Sequence, residues 1–579
     1  MPEALEQTAF LSGDEALARG AYESGVAFAA SYPGTPATEI LESLAQYPEI
    51  NAQWSVNEKV AYEVAFGAAI AGVRSIFSSK HVGLNVAMDP LMTSAYVGVS
   101  AGFVIVTADE PGLHSSQNEQ DNRLIARFAK MPLLEPADPC EAKRMMPYAF
   151  ELSERHDIPV IVRLTTRVAH TKENVPLGLR VEMAPKGFTP DPAKYVMVPR
   201  NAYFRHIDLE KRLLALKAEA ESSPLNIIEI NDPALGIITS GVAYLYAKEV
   251  FPNASFLKLG FSYPFPEKLI RAFAAKVKEV VVIEELEPFL EEELQRLGIK
   301  HRARHPSWRV GELRPEDIRA VVDGSARVDI EPAASRKPVM CPGCPHRGVY
   351  SVLKKLKLTV TGDIGCYTLG ALAPLSAMQT CLCMGAGVTM FEGFRKVLGK
   401  NVVGVIGDGT FMHSGIAGLV NAAYNATRGV LVILDNATTA MTGTQPHPAT
   451  GTTAKGVPTK ALVIEDICKA CGADHVDIVS AYDAAAIEKV LRKRLDEDAL
   501  SVIIARTPCK LIHRAKSLPV EFNAAKCVKC YMCLNIGCPA LSRGQDGLIK
   551  VDQDICVGCY VCVSSCKFDA LKKGGEVPA

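Results

Sequence analysis

The sequence has no excess of charge of either sign: 63 Lys+Arg stand against 64 Asp+Glu in 579 residues, a net charge of −1 with His neutral. That balance excludes the electrostatic footprint expected of a nucleic-acid binder or of a protein drawn to anionic lipid. No apolar run approaches the ~20 residues that a membrane-spanning helix needs; runs such as Val430–Leu434 and Val280–Ile283 have the length of buried strands. The opening stretch MPEALEQTAFLSGDEALARG is acidic and amphipathic and lacks the order of a secretion signal. Disorder is excluded as a global description, because 48% of the chain is hydrophobic and 22% charged, which leaves ample apolar surface to bury. Tandem repeats are lacking outside the C-terminal tail. These absences predict a soluble, cytoplasmic, globular protein of about four domains at ~150 residues each.

What the sequence does have is cysteine. It holds 17, and eight of them follow residue 526. In a reducing compartment crowded cysteines point to metal rather than to disulfides. The tail reads Cys527-x2-Cys530-x2-Cys533-x4-Cys538-Pro539, then Cys556-x2-Cys559-x2-Cys562-x3-Cys566, the two motifs starting about 29 residues apart. Thiolates are soft ligands suited to iron–sulfur clusters, and in paired motifs of this kind the distant fourth cysteine ligates the other cluster. The spacing therefore assigns Cys527, Cys530, Cys533 and Cys566 to one 4Fe-4S cluster, and Cys538, Cys556, Cys559 and Cys562 to a second. Zinc sites usually pair two C-x2-C knuckles, which two triplets fit poorly. The tail resembles bacterial-type two-cluster ferredoxins, with two departures: x4 in the first motif, and Lys567 where proline is usual.

The rest of the chain alternates short apolar runs with helical stretches, which predicts an α/β layer fold. Ser55–Gly72 has Val60, Ala61, Val64, Ala65 and Ala68 at helical spacing; Phe103–Thr107 and Ile158–Arg163 read as strands. Residues near 170–225 read as linker and connector. A second unit follows, with strands at Asn226–Ile230, Gly236–Thr239, Ser255–Lys258 and Val280–Glu284 and a helix at Pro288–Leu297; Arg302–Pro338 reads as a mixed linker. A third unit has strands Val402–Ile406 and Val430–Leu434 around a predicted helix Ser414–Ala426.

That third unit carries the chemistry. Gly407-Asp408-Gly409 lies between a strand and a helix, and Asn436 ends the next strand. Two adjacent strand ends then present oxygen ligands at the carboxyl edge of a parallel sheet, where such sheets bind ligands. Mg²⁺ prefers few protein oxygens plus phosphate oxygens. Glycines admit phosphates close to the backbone, and a helix N-terminus at His413–Ser414 is expected to add amide donors. G-D-G alone is also a common turn; Asn436, 28 residues after Asp408 at the end of the next strand, adds to the signal. The pattern resembles a thiamine diphosphate site, and that cofactor further needs a carboxylate that exchanges a proton with its aminopyrimidine ring. Glu58, in WSVNEKVAYEVAFG, is the candidate, with burial among Val and Ala expected to favour its protonated form; a solvent-facing Glu at a helix start is the ordinary alternative.

The GDG-to-Asn spacing resembles the thiamine diphosphate motif, and this implies Asp408, the Asn436 side chain and the Thr438 carbonyl as Mg²⁺ ligands. Cys383-Met384-Gly385-Ala386-Gly387 resembles the helix start that contacts the cofactor in this superfamily. Tyr32-Pro33-Gly34-Thr35-Pro36, the Glu58 helix, KHVGLNVAMDPL (80–91), HSSQNEQDNR (114–123), CPGCPHR (341–347), DIGCYTLG (363–370) and ILDNATTAMTG (433–443) together resemble the alpha subunits of indolepyruvate-type 2-oxoacid:ferredoxin oxidoreductases across essentially the whole chain. The resemblance implies four domains: 1–185 pyrimidine-binding, 186–335 connector and transketolase C-terminal-like, 336–515 diphosphate-binding, and 516–579 ferredoxin-like. It gives Thr35 a contact with substrate, while His81, His114, Gln117 and Arg123 become polar candidates near it, Arg123 as a bidentate clamp for a carboxylate. It also implies a third cluster next to the thiamine, held by Cys341, Cys344, Cys366 and Cys509, with Cys140, Cys381, Cys383, Cys468 and Cys471 structural. The implied reaction is oxidative decarboxylation of an arylpyruvate with coenzyme A to arylacetyl-CoA and CO2, through a thiamine diphosphate adduct and iron–sulfur electron transfer to ferredoxin. A beta subunit and a dimer of alpha–beta pairs are the implied assembly. Two alternatives stay open: the same chemistry on phenylglyoxylate, a branched-chain 2-oxo acid or pyruvate, since one methylene changes discrimination by only ~1–3 kcal/mol; and an electron-transfer subunit whose catalytic half lies elsewhere.

Overall fold

The computed structural model describes residues 7–328, 338–513 and 517–575. The chain falls into two compact units, Met1–Glu331 and Pro332–Ala579. Among the described residues no helix is long and apolar enough to cross a membrane.

The first unit is built on a seven-stranded sheet in the order β12 (Phe261–Tyr263), β6 (Leu133–Leu134), β7 (Val160–Thr165), β5 (Phe103–Asp109), β4 (Ser75–Lys80), β2 (Phe28–Ser31), β3 (Asn51–Trp54). All neighbours are parallel except β12, which runs antiparallel to β6. Every residue of β5 and β7 is buried, as expected of strands covered by helices on both faces. A second sheet orders β13 (Val280–Ile283), β10 (Asp232–Thr239), β11 (Ala254–Leu259) and β9 (Asn226–Glu229), with β9 antiparallel at one edge. An antiparallel ribbon of β1 (Thr8–Ser12) and β8 (Lys172–Pro176) leads into helix Gly13–Glu23, which starts on a Ser12/Glu15 capping box.

Two segments read as linker are structured. Residues 199–220 form a 22-residue helix begun by Pro199 at its first position, a place where proline costs no hydrogen bond. Of the segment after Arg302, Trp308, Leu313, Ile318 and Val321 are buried in the core of the second sheet; its residues 329–337 lie outside the described residues.

The second unit holds a five-stranded, all-parallel sheet in the order β14 (Thr359–Thr361), β15 (Val402–Gly407), β16 (Gly429–Asp435), β18 (Leu500–Arg506), β17 (His475–Ser480). Gly407 sits opposite Leu434, and Asp435 opposite Arg506. This register lines up the residues that follow three neighbouring strands, Asp408, Asn436 and Thr507, along one edge. The tail has two short antiparallel pairs, β19 (Glu521–Phe522) with β22 (Leu571–Lys572) and β20 (Leu541–Arg543) with β21 (Ile549–Val551). Cys533 and Cys562 are themselves part of its small core, the situation of a domain too short to hold together on apolar burial alone.

Candidate active site

At the end of β15 the chain turns helical at Asp408 itself, passes through a wide turn at Phe411–Gly415 and continues as helix Ile416–Tyr424. This corrects the expected start at Ser414. His413 is buried inside the helical stretch, its Nδ1 2.6 Å from the Ser414 hydroxyl, and does not stand at a helix N-terminus. The carboxylate of Asp408 is held from several sides. Its Oδ2 accepts from the backbone N–H of Asn436 (3.2 Å), the N–H of Ala437 (2.8 Å) and His447 Nε2 (3.2 Å); its Oδ1 accepts from the Gly409 N–H (2.9 Å). The Asn436 Oδ1 accepts the Thr438 N–H at 3.2 Å. Asp408, Asn436 and Thr438 are all buried. One carboxylate, one amide oxygen and a backbone carbonyl form a sparse oxygen set of the kind Mg²⁺ uses when phosphate supplies the rest. The Thr439 hydroxyl is buried with no partner and faces Gly409, where an added Cβ would stand 2.9 Å from it. An orphaned donor beside the glycine turn fits an anionic group seated there.

Gly385 begins helix Ala386–Leu398 with φ +94°, and a Cβ there would meet the Ser414 side chain at 2.6 Å. Met384, half-buried, precedes it. Asp363, which the sequence reasoning did not single out, anchors this helix start: its carboxylate accepts the N–H groups of Gly385 (3.0 Å) and Gly387 (2.7 Å). Burial pushes its pKa up to about 6 against those hydrogen bonds. Cys381 and Cys383, expected to be structural, are exposed at this edge.

Cys341, Cys344, Cys366 and Cys509 line one cavity, with His346 and Asn436 in its wall. The Cys509 N–H donates to the Asn436 carbonyl at 2.9 Å, which ties the cavity to the diphosphate edge. Burial, with the other thiols of the set adding to it, pushes Cys344 up to about 12 and Cys366 up to about 11. Burial also pushes His346 down to about 4, so its imidazole is neutral; its Nε2 is 3.5 Å from Asn436 Nδ2. Arg347, buried, spans from the first cysteine loop to the tail by donating to the carbonyls of Met340, Cys341, Ile536 and Gly537. The motif CPGCPHR contained both residues; nothing in it distinguished their roles.

In the tail, Cys527, Cys530, Cys533 and Cys566 line one cavity, and Cys538, Cys556, Cys559 and Cys562 line another. The cysteines thus divide as the spacing assigns them, four to each cavity. Among the described residues no three His, Cys, Asp or Glu side chains close around a single ion. Four thiols spread around a cavity suit a cluster with several irons, whereas zinc draws its four ligands to one point.

In the first unit Glu58 is the first residue of helix Glu58–Ile70 and is buried, with Asn57 capping the helix start. A Cβ on Gly83 would lie 2.6 Å from Glu58 Oε1, so this glycine lets the turn after β4 approach the carboxyl group. Lys80, at the end of β4, is 3.7 Å from Glu110; burial lowers its pKa while Glu110 and Glu58 oppose the shift. Thr35 is half-buried in the turn after β2, and Gly34 beside it packs against Lys80. His81 is turned inward: its ring is fully buried, Nε2 is 3.1 Å from the Asn118 carbonyl, and Nδ1 has no partner. Burial lowers its pKa, with Asp109 opposing. His114 is exposed and 3.5 Å from Glu312, and Gln117 is exposed. The expected substrate clamp at Arg123 is corrected. Its guanidinium is 1% exposed and spends its donors on Asp121 (2.5 Å), Glu284 (2.7 Å) and the carbonyls of Glu285 and Glu287. Arg163 extends the same buried network through Asp109 and Glu135.

Three family descriptions match the chain: "Thiamine pyrophosphate enzyme, C-terminal TPP binding domain" at residues 363–505, "Pyruvate flavodoxin/ferredoxin oxidoreductase, thiamine diP-bdg" at 19–213, and "4Fe-4S binding domain" at 549–572. The chain is 38% identical to the indolepyruvate oxidoreductase subunit IorA of Archaeoglobus fulgidus over 98% of both chains. It is 40% identical to that of Methanothermobacter marburgensis over 98% of this chain and 97% of the relative. A solved 2-oxoglutarate:ferredoxin oxidoreductase from Magnetococcus marinus aligns with TM-score 0.46 and 17% identity over 55% of this chain and 65% of that one. The thiamine-binding and 4Fe-4S domains, joined in one chain that matches these relatives from end to end, make it a member of the IorA family of 2-oxoacid:ferredoxin oxidoreductases, and ferredoxin-linked oxidation of a 2-oxoacid is its activity.

Proposed function

We propose that the chain oxidatively decarboxylates arylpyruvates, indolepyruvate foremost, with coenzyme A accepting the acyl group and ferredoxin the electrons. The substrate is supported by the IorA relatives, which are named for indolepyruvate and match over nearly their full length. Their naming as subunits supports a beta subunit, and with it a dimer of alpha–beta pairs. Bound thiamine diphosphate supplies the nucleophilic carbon for decarboxylation, and iron–sulfur clusters take up electrons singly.

The chain's own residues are assigned as follows. Asp408, Asn436 and the Thr438 carbonyl hold Mg²⁺, and through it the diphosphate. His447 and two backbone amides fix the Asp408 carboxylate so that no reorganisation is needed when the ion binds. Gly385 and Met384 face the cofactor. Glu58 exchanges the proton that activates the ring, shielded from water by its burial against Gly83. Thr35 contacts the 2-oxo acid. Cys341, Cys344, Cys366 and Cys509 hold a 4Fe-4S cluster, and the tail sets hold two more. One observation carries the reading: four cysteines from three separate stretches of the chain meet around a cavity whose wall includes Asn436, which supports a one-electron acceptor beside the diphosphate edge.

The test is anaerobic viologen reduction by the purified complex with indolepyruvate, phenylpyruvate, phenylglyoxylate, 2-oxoisovalerate and pyruvate, each with and without coenzyme A. Coenzyme A-dependent reduction with arylpyruvates is expected. Activity confined to another acid overturns the substrate and keeps the chemistry; no activity with thiamine and iron both bound overturns the catalytic reading. Glu58→Gln is expected to bind thiamine diphosphate and lose turnover.

A further inference from the structure

Burying an arginine takes a charge out of water, and the chain answers with carboxylates everywhere but once. Arg123, Arg163, Arg304, Arg347 and Arg494 are the buried arginines among the described residues. Arg123 pairs with Asp121 and Glu284, Arg163 with Asp109 and Glu135, Arg304 with Glu291, and Arg494 with Asp477 and Glu497. Arg347 is 2% exposed and forms no ion pair among the described residues. Its guanidinium donates to carbonyls alone, those of Met340, Cys341, Ile536 and Gly537. It also stands in the first turn of helix His346–Lys355, the end at which a cation is disfavoured. Arginine stays charged inside proteins, and a buried charge without a counter-charge is strongly disfavoured.

The carbonyls it holds show where a counter-charge would come from. Met340 and Cys341 line the Cys341/Cys344/Cys366/Cys509 cavity. Ile536 and Gly537 lead directly into Cys538 of the Cys538/Cys556/Cys559/Cys562 cavity, whose wall also takes in Pro342 and Gly343 from the loop between Cys341 and Cys344. Tyr482 fixes that shared loop by donating to the Gly343 carbonyl at 2.7 Å. Burial raises the pKa of Cys344 and of Cys559, and the Arg347 charge opposes the rise at both. One cation thus acts on two thiol sets. At Cys533 of the Cys527/Cys530/Cys533/Cys566 set the charges that act are those of its sister thiols.

We propose that Arg347 is the shared counter-charge of two 4Fe-4S clusters, those of the Cys341/Cys344/Cys366/Cys509 and Cys538/Cys556/Cys559/Cys562 sets, and that it raises the reduction potentials of both while leaving the third unaltered. The proposal rests on the iron–sulfur reading given above. Four thiolates bring more negative charge than the iron–sulfur core offsets, so such a cluster is anionic and becomes more so on taking an electron. Net charge is one of the factors that set its potential, and a fixed cation favours the reduced form. Each reduction adds one electron and no proton to the cluster, and the guanidinium is unchanged by it. Because it serves both sites, the cation eases electron entry at one without trapping the electron against transfer to the other.

The experiment is an anaerobic redox titration of the complete complex, with each cluster followed by EPR. C366S and C562S, each altering one set, assign the signals. In R347Q the equilibrium constants for reducing the two clusters are expected to fall about tenfold, the size of one charge acting through a protein interior and ~59 mV for one electron, with the third cluster within about twofold of wild type. R347K keeps the charge and loses the planar fork, and all three clusters are expected to stay within about twofold of wild type. Arg347→citrulline, close in shape and uncharged, decides the matter where the Gln variant loses its iron, and is expected to behave as described for R347Q. Unaltered potentials in the uncharged variant overturn the proposal and leave Arg347 a staple between two loops. An equal fall in R347K also overturns it, since hydrogen-bond geometry and not charge then sets the potentials. So does an equal fall at the third cluster, which marks a general loosening. A wild-type complex with iron and signals for only two clusters removes the Cys341/Cys344/Cys366/Cys509 cluster itself, and that failure of the iron–sulfur reading is seen before any variant is made.

Discussion

Replacing Arg123 with Met tests whether that residue holds the first unit together or holds substrate. The guanidinium is 1% exposed and bridges Asp121 and Glu284 at 2.5 and 2.7 Å. Removing it leaves Asp121 with only the more distant Arg163 at 3.7 Å, takes from Glu284 its ion pair with Arg123, and the carbonyls of Glu285 and Glu287 lose a donor. Breaking a buried pair in this way costs ~3–5 kcal/mol. At ~2–3 °C per kcal/mol for a large unit, that lowers the melting temperature by about 5–15 °C. The double variant R123M/E284M removes one of the stranded charges and is expected to recover part of the loss, so the two substitutions are non-additive. Differential scanning calorimetry reads the stability, and viologen reduction at low temperature, where the variant is still folded, reads KM for the 2-oxo acid. The structural role predicts a large drop in melting temperature with KM within about two-fold of wild type. A variant that melts with the wild type and shows KM raised ~10-fold, as loss of a carboxylate clamp would give, refutes it.

Three further outcomes are expected. Burial pushes Glu285 up to about 7; a buried carboxyl with a raised pKa contributes stability that is fully present below about pH 4.5 and lost as pH climbs to about 7, so E285Q should exceed wild type by up to ~3 kcal/mol at pH 8 and match it near pH 4.5, read from melting curves across that range. H447A takes one of three donors from Asp408 Oδ2, and calorimetric titration should show Mg²⁺ with thiamine diphosphate binding ~10–100-fold more weakly; unchanged affinity would sink the positioning role of His447. C366S should lose one cluster's worth of iron, keep the EPR signals of the tail and bind thiamine diphosphate normally, while electron delivery to viologen fails; full iron content would remove Cys366 from the ligands.

Local signals in the sequence were strong where one physical constraint acts alone. Val402–Ile406 and Val430–Leu434 are continuous apolar runs, as strands buried on both faces must be, and they appear within one residue of the expected bounds. The tail cysteines divided between two cavities as their spacing requires. Helix 199–220 was illegible because its fully buried side is only Leu209, Leu216 and Ala220, too thin a stripe to impose periodicity on a polar segment. Arg123 misled because a basic residue in a polar stretch reads the same whether its anions come from a ligand or from Asp121 and Glu284. The helix start at Asp408 was hidden by its two glycines, which signal a loop, whereas the aspartate at the first turn stabilises a helix there. His447 acts on Asp408 across 39 residues of chain, a contact that no local pattern encodes.

The one antiparallel strand of the seven-stranded sheet has a consequence for the protein's birth on the ribosome. β12 covers β6, whose Leu133 and Leu134 form the outermost parallel strand, yet β12 is made long after the other strands of that sheet. At ~5–20 residues per second, the roughly hundred residues from Thr165 to Tyr263 take ~5–20 s to synthesise. Throughout that interval the nascent sheet carries a bare leucine edge, a template for pairing with neighbouring chains on the same polysome. The second sheet must also be largely synthesised before the first is closed, since β9, β10 and β11 all precede β12. The two sheets are therefore expected to mature as one cooperative folding event, with chaperone demand concentrated between the emergence of β7 and that of β12.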